Sequence, residues 1–151
     1  MQSVRIIEIP DCKMVSSGEG MFGEGKFERF GAWFSSLPPS LHPKDYLSGV
    51  NDENGDLKCF IWYHLHEPGM SVPEEFEIVD FKGGLYAVAT DIDQRTDIAA
   101  MDAAVDAFLR DNNFERDPSR PRLGNIITSP SAQKILGYHQ MDYYAPAREG
   151  E

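Results

Sequence analysis

Cysteine is scarce. The 151 residues hold two, Cys12 and Cys59, far apart and in no C-x-x-C spacing. That argues against a zinc site or a redox motif and makes a reducing cytoplasm the expected setting. No stretch approaches the roughly 20 apolar residues of a membrane-spanning helix. The first ten residues carry one arginine and no long apolar run, so no signal peptide is expected. Positive charge is short as well: 14 Lys+Arg stand against 25 Asp+Glu, a formal net charge of −11. Such a balance repels phosphate backbones and anionic lipid, which makes nucleic acid and membrane poor partners and leaves cationic or basic partners open. The G-x-S-x-G nucleophile elbow is absent. The glycine-dense stretch 18–25 lacks the Lys-Ser/Thr pair of a phosphate loop and carries Glu19 and Glu24 where phosphate would sit.

What is present belongs to a folded chain. Apolar residues make up 41% and aromatics 11%, enough for one domain spanning residues 1–151. One structural unit is expected twice, in pseudo-repeats at about 1–70 and 76–147. Ile7-Glu8-Ile9-Pro10-Asp11-Cys12-Lys13-Met14-Val15 reads against Val79-Asp80-Phe81-Lys82-Gly83-Gly84-Leu85-Tyr86-Ala87. Each is an extended stretch broken by a polar turn, and each is followed by a helix-period stretch.

The first helix is expected over 26–37, with Phe27, Phe30, Phe34 and Leu37 on one stripe and Pro38-Pro39 as its stop. The second is expected from a Thr96 or Asp97 cap to about residue 112. Its stripe is Ile98, Met101, Val105, Phe108 and Leu109, and Asp102, Asp106 and Asp111 form a solvated face. Strands are expected at 4–9, 13–16, 45–50, 58–65, 77–81, 85–90, 123–128 and 140–145. Residues 116–122 read as a loop and 148–151 as a frayed tail. The order gives an α+β fold: duplicated β-α-β-β units forming an antiparallel sheet, two helices on one face, a groove between them.

Four stretches resemble the GyrI-like small-molecule-binding domain family, which also serves as the effector-binding domain of AraC- and MerR-type bacterial regulators. They are Gly49-Val50 with the acidic turn after it, residues 76–88, Arg120-Pro121-Arg122-Leu123, and Asp142-Tyr143-Tyr144-Ala145-Pro146-Ala147. The resemblance covers nearly the whole chain. It implies a duplicated fold that binds planar, apolar, often cationic molecules between its two helices. Some members are freestanding antidote-like or gyrase-inhibiting proteins, and a few hydrolyse cyclopropane-containing toxins. With no room for a helix-turn-helix and no basic face, this chain is expected to be a freestanding version. One departure stands out. The family often places a buried Glu two residues after the position of Arg122, and here Gly124 stands there. Cation selection and hydrolysis both lose their expected carboxylate, unless Asp142 or Glu67 supplies one.

The aromatics are the candidate ligand-binding residues: Phe30, Trp33, Trp62, Tyr63, Tyr86 and Tyr144. Trp and Tyr offer broad apolar faces with polar tips, as a ligand groove needs. Strand alternation sends Trp62 and Tyr63 to opposite sheet faces, and likewise Tyr143 and Tyr144. His64-x-His66 is expected to be a solvent-facing pair rather than a metal site. No catalytic residue, metal ligand or cofactor is expected. The functional expectation is a noncatalytic binding module of the multidrug or effector-binding type for a small apolar or planar molecule, cationic ones included. The alternatives are an acidic antagonist that docks on a basic protein, as gyrase inhibitors do, and a hydrolase of cyclopropane-containing toxins.

Overall fold

Residues 3–151 are described. The computed structural model has an α+β fold. Its elements are β1 (Val4–Ile9), β2 (Cys12–Gly20), α1 (Lys26–Ser35), β3 (Asp45–Asn51), β4 (Leu57–Leu65), β5 (Glu77–Phe81), β6 (Gly84–Ile92), α2 (Ile98–Asp111), β7 (Phe114–Arg116), β8 (Leu123–Ile126), α3 (Pro130–Leu136) and β9 (Gln140–Glu149). The chain forms two compact units, one of residues 11–82 and one of residues 1–10 with 83–151.

In the 11–82 unit the strand order is β5-β2-β4-β3, all antiparallel. In the other it is β1-β6-β9-β8, also antiparallel, with β7 pairing the far end of β9. The duplicated plan is therefore β2-α1-β3-β4 against β6-α2-β8-β9. Each copy is flanked by a strand from the other half of the sequence: β5 pairs β2, and β1 pairs β6. The two-residue links Pro10-Asp11 and Lys82-Gly83 look like hairpin turns but are not. A type I′ turn needs positive φ at both central residues, which proline's ring forbids and lysine resists. Gly83 is required by crowding instead. A Cβ there would lie 1.8 Å from the Ile9 carbonyl oxygen.

Each helix covers one face of its own unit's sheet. Val105 and Leu109 of α2 pack on Ala87, Ala145 and Ala147, with Val4, Ile6, Phe108 and Phe114 around them. The small alanines of β6 and β9 let the helix approach closely. Phe30 of α1 packs on Val15 and Phe76, joined by Trp33, Phe34, Trp62, Met70 and Val72. Asp97 caps α2 by accepting from the Ala100 amide at 3.0 Å. Helix α1 starts at Gly25, and the Glu28 carboxylate accepts from the Gly23 and Gly25 amides at 2.7 and 3.2 Å. Those amides hold the Glu28 carboxyl below the usual range.

Several expectations are corrected. Strand β2 runs on to Gly20, through a bulge between Ser16 and Glu19, so residues 18–20 of the glycine-dense stretch are strand rather than loop. The 148–151 tail is not frayed throughout, because Arg148 and Glu149 pair with Glu115 and Phe114 of β7, and that strand takes in Arg116, the first residue read as loop. Helix α3 was not expected. It opens with Ser129 Oγ accepting from the Ala132 amide and Pro130 in its first turn, and closes on Gly137 at φ 81°. The acidic face of α2 is not simply solvated: Asp102 and Asp106 pair with Arg116, and Asp102 also with Arg122.

Candidate functional site

Register places the aromatics. In the 11–82 unit, Asp45 lies opposite His64, Leu47 opposite Trp62 and Gly49 opposite Phe60. Directly opposed residues in an antiparallel pair share a face. Trp62 and His64 therefore sit with Asp45 on the α1 face, and Tyr63 on the reverse. The β2 bulge helps seat Trp62. The Ser17 hydroxyl accepts from the Trp62 amide at 2.9 Å, replacing a ladder bond.

A continuous set of rings covers that face. Phe30 is completely buried. It packs edge-on against Phe76 at 4.9 Å, Trp33 at 5.5 Å and Phe34 at 5.7 Å, and tilted against Trp62 at 5.6 Å. Trp62 also meets Phe34 at 5.2 Å, Phe22 at 5.7 Å and Phe27 at 5.8 Å. Gly31 on α1 lies beside the indole, and a Cβ there would meet its outer ring carbon at 3.5 Å, an ordinary contact. These edge-to-face arrangements follow from the ring quadrupole and rigidify the set. Trp33 and Trp62 are both half-buried, and Phe22 at the rim is 53% exposed.

The polar tips are held. Trp33 Nε1 donates to the Ser71 carbonyl at 3.0 Å, and Trp62 Nε1 donates to Asp45 Oδ2 at 2.9 Å. Asp45 is itself half-buried. Burial pushes its carboxyl above the ordinary aspartate range, opposed by the Trp62 hydrogen bond, by the nearby His64 and by its own amide. His64 was expected to face solvent and is buried instead. It stacks on Phe34 at 5.4 Å and meets the edge of Trp33 at 5.6 Å. Its Nδ1 lies 2.8 Å from the Leu65 carbonyl. A carbonyl only accepts, so the proton is on Nδ1 and Nε2 is left as the acceptor of the neutral ring.

The six candidate residues thus separate. Phe30, Trp33 and Trp62 are together, Phe30 as the buried floor and the indoles as the accessible part. Tyr63 lies on the other sheet face against Phe81 at 5.5 Å, where burial raises its phenol. Tyr86 and Tyr144 belong to the other unit, where both are buried, edge to face at 6.1 Å. They lie on the side of that sheet away from α2, since Ala87 and Ala145 face the helix. Tyr144 donates to Asn125 Oδ1 at 3.1 Å, and the Arg120 guanidinium lies 4.7 Å from the centre of the Tyr86 ring.

The carboxylates considered as replacements for the missing glutamate are both engaged. Asp142 is buried and accepts from Arg5 at 3.0 Å and Thr90 at 2.5 Å. Glu67 is paired with Lys44, which holds its carboxyl below the usual range. At Gly124 a Cβ would stand 2.4 Å from the Met141 methyl, the movable end of a flexible side chain. Sequence reasoning missed Asp45. An acid at the first position of a strand looks like a boundary residue, and only the β3–β4 register sets it beside an indole and an imidazole. Among the described residues, no group of three or more His, Cys, Asp or Glu is placed to hold a metal ion.

No family model and no curated protein matches the sequence. Solved structures do match the fold. The C-terminal domain of EcmrR aligns over 99% of both chains at 9% identity, with a TM-score of 0.63. A hydrolase from Listeria innocua aligns over 96% of this chain and 91% of its own, at 11% identity and a TM-score of 0.68. SAV2435, solved with bound tetraphenylphosphonium, aligns over 97% of this chain and 94% of its own, at 8% identity and a TM-score of 0.51. At such identities the likeness is one of fold: the chain shares the architecture of the EcmrR C-terminal domain, of the Listeria hydrolase and of SAV2435.

Proposed function

We propose that this protein is a relative of the GyrI-like effector-binding domains that binds a small apolar or planar molecule without transforming it. The observation that carries the reading is the half-buried pair Trp33 and Trp62, set in a rigid ring cluster with their N–H groups already satisfied. Indoles with spoken-for polar tips offer flat apolar faces and no unmet hydrogen bond, so a ligand gains contact area at little ordering cost. The shared fold with SAV2435 supports the reading, because tetraphenylphosphonium is an apolar, ring-shielded cation.

Tryptophan fluorescence tests it. Both tryptophans of the chain lie in the cluster. Saturable, salt-insensitive quenching by planar apolar compounds, weakened in Trp62→Phe, is expected. A folded protein whose emission responds to none of them would sink the proposal.

The Listeria neighbour gives a hydrolase reading some ground. Gly124 weighs against it, since no carboxylate stands where the resemblance expects one. Turnover of a cyclopropane-containing substrate by the purified protein would reverse the choice.

A further inference from the structure

Most acids of the 11–82 unit that have any role in the fold have a cation or an amide to answer them. Glu19 pairs with Lys58, Glu67 with Lys44, Glu75 with Arg29 and Asp80 with Lys13. Asp45 does not. It is half-buried, yet no lysine or arginine pairs with it, and its side-chain partner is the neutral Trp62 indole on Oδ2. The Trp62 indole and its own amide leave the carboxylate with lone-pair directions still open. Directly across the β3–β4 ladder, His64 has committed its Nδ1 proton to the Leu65 carbonyl. Its Nε2 has no partner among the described residues. Two acceptors therefore stand side by side on the α1 face, at the edge of the ring cluster, with their own protein donors already counted.

A half-buried carboxylate with no lysine or arginine beside it is unfavourable as it stands. A cation brought to it gains both the charge pairing and, if it carries N–H groups, hydrogen bonds to the carboxylate and the imidazole. Charge-assisted hydrogen bonds of that kind are about twice as strong as neutral ones. The surrounding rings of Trp62, Trp33 and Phe34 add cation–π attraction. A neutral planar ligand leaves both acceptors unanswered, and a quaternary onium answers the charge but not the hydrogen bonds.

Resting on the binding reading above, we infer that Asp45 and His64 make the aromatic site selective for an organic cation that carries N–H donors, a protonated amine or amidinium on a planar apolar body. The selecting groups lie in the first half of the chain, on β3 and β4, and not at the Gly124 position of β8.

The test is calorimetric titration at pH 7 with three probes on one scaffold: 2-naphthylmethylamine, its N,N,N-trimethyl quaternary salt, and 2-naphthylmethanol. The amine is expected to bind at least about tenfold more tightly than the alcohol and measurably more tightly than the quaternary salt, as one charge-assisted hydrogen-bonded contact implies. Asp45→Asn keeps an acceptor for the Trp62 indole and removes the charge. In that variant the amine should lose its advantage over the alcohol, and an unchanged circular dichroism spectrum and thermal midpoint report an intact fold. Equal binding of amine and alcohol to the wild type, or undiminished amine binding in Asp45→Asn, would overturn the inference and leave the binding module standing. A quaternary salt that matches the amine would overturn the N–H requirement. Binding of none of the three would overturn the module and the inference with it.

Discussion

Arg120→Met should cost about 3 kcal/mol, and the reason lies in what the guanidinium holds together. Arg120 is 95% buried at its side chain by the measure of its 5% exposure, and it pairs with Asp117 at 3.0 Å. Its Nη2 donates to the carbonyls of Leu85 and Ala147 at 2.8 Å each, joining β6 to β9 and both to the loop before β8. Methionine would fill much of the space over Tyr86 but leave both carbonyls without that donor, at about 1–3 kcal/mol apiece. Removing one partner of a buried ion pair generally costs about 3–5 kcal/mol. The lower end is expected here because Nη1 is buried with no hydrogen-bond partner, so its loss is a relief. Against a total stability of roughly 5–15 kcal/mol the change is large. Urea unfolding reads it as a lower midpoint at constant slope. Gly84 provides an internal control. A Cβ there would stand 2.6 Å from Arg120 Cζ, and its φ of 148° disfavours any side chain. Gly84→Ala should therefore be less harmful once Arg120 is methionine, because only the backbone strain remains. The reasoning is refuted if Arg120→Met costs under about 1 kcal/mol, or if the two substitutions are strictly additive in a double-mutant cycle.

Other outcomes follow from the same structure. Phe30→Ala, which empties the centre of the ring cluster, should lower stability by about 3–5 kcal/mol in thermal or chemical denaturation; a loss under about 1 kcal/mol would mean the rings close over the gap. Asp97→Ala removes the α2 cap and should cost about 1 kcal/mol by the same measurement. The Ser119 hydroxyl, then Arg120, then the Ser119 amide hold the Asp117 carboxyl well below the usual range. The native state thus binds this proton more weakly than the unfolded chain, so the stabilisation is complete above the ordinary aspartate range and drains away as pH falls through and below it. Asp117→Asn should flatten that acid limb, and an unchanged slope would contradict the assignment. Burial raises Asp45 instead, so its ionisation opposes folding as pH rises; Asp45→Asn should be at least as stable as the wild type at pH 7, and a clear destabilisation would show that the carboxylate serves the fold rather than a ligand.

Local physics was legible where it acts over a few residues. Strand β1 and strand β5 coincide with their β-branched runs, α1 starts where its apolar stripe puts it, and α2 starts at one of its two candidate caps, Asp97. Helix α3 escaped because it buries no residue and has no apolar stripe, although Ser129-Pro130 and Gly137 mark its ends. Pairing partners were the harder matter. The duplicated plan is visible in the repeat, but that β1 serves β6 and β5 serves β2 depends on contacts far apart in sequence. The same holds for the site. Alternation correctly divides Trp62 from Tyr63, and yet it says nothing of which strand lies alongside. His64 looked like an exposed strand-end residue because its burial comes from Trp33 and Phe34 on α1. Asp45 was overlooked for the same reason, since its chemistry is made by the strand opposite.

The central claim is that the α1 face of the 11–82 unit receives a planar apolar ligand. Nitrogen–proton correlation spectra test it most directly, because two tryptophans give two indole N–H signals and both are in the cluster. Titration with 2-naphthylmethylamine should move both signals saturably, with a common dissociation constant, while the amides of α2 stay in place. Indole signals that remain fixed, in a protein whose other resonances show it folded, would contradict the account.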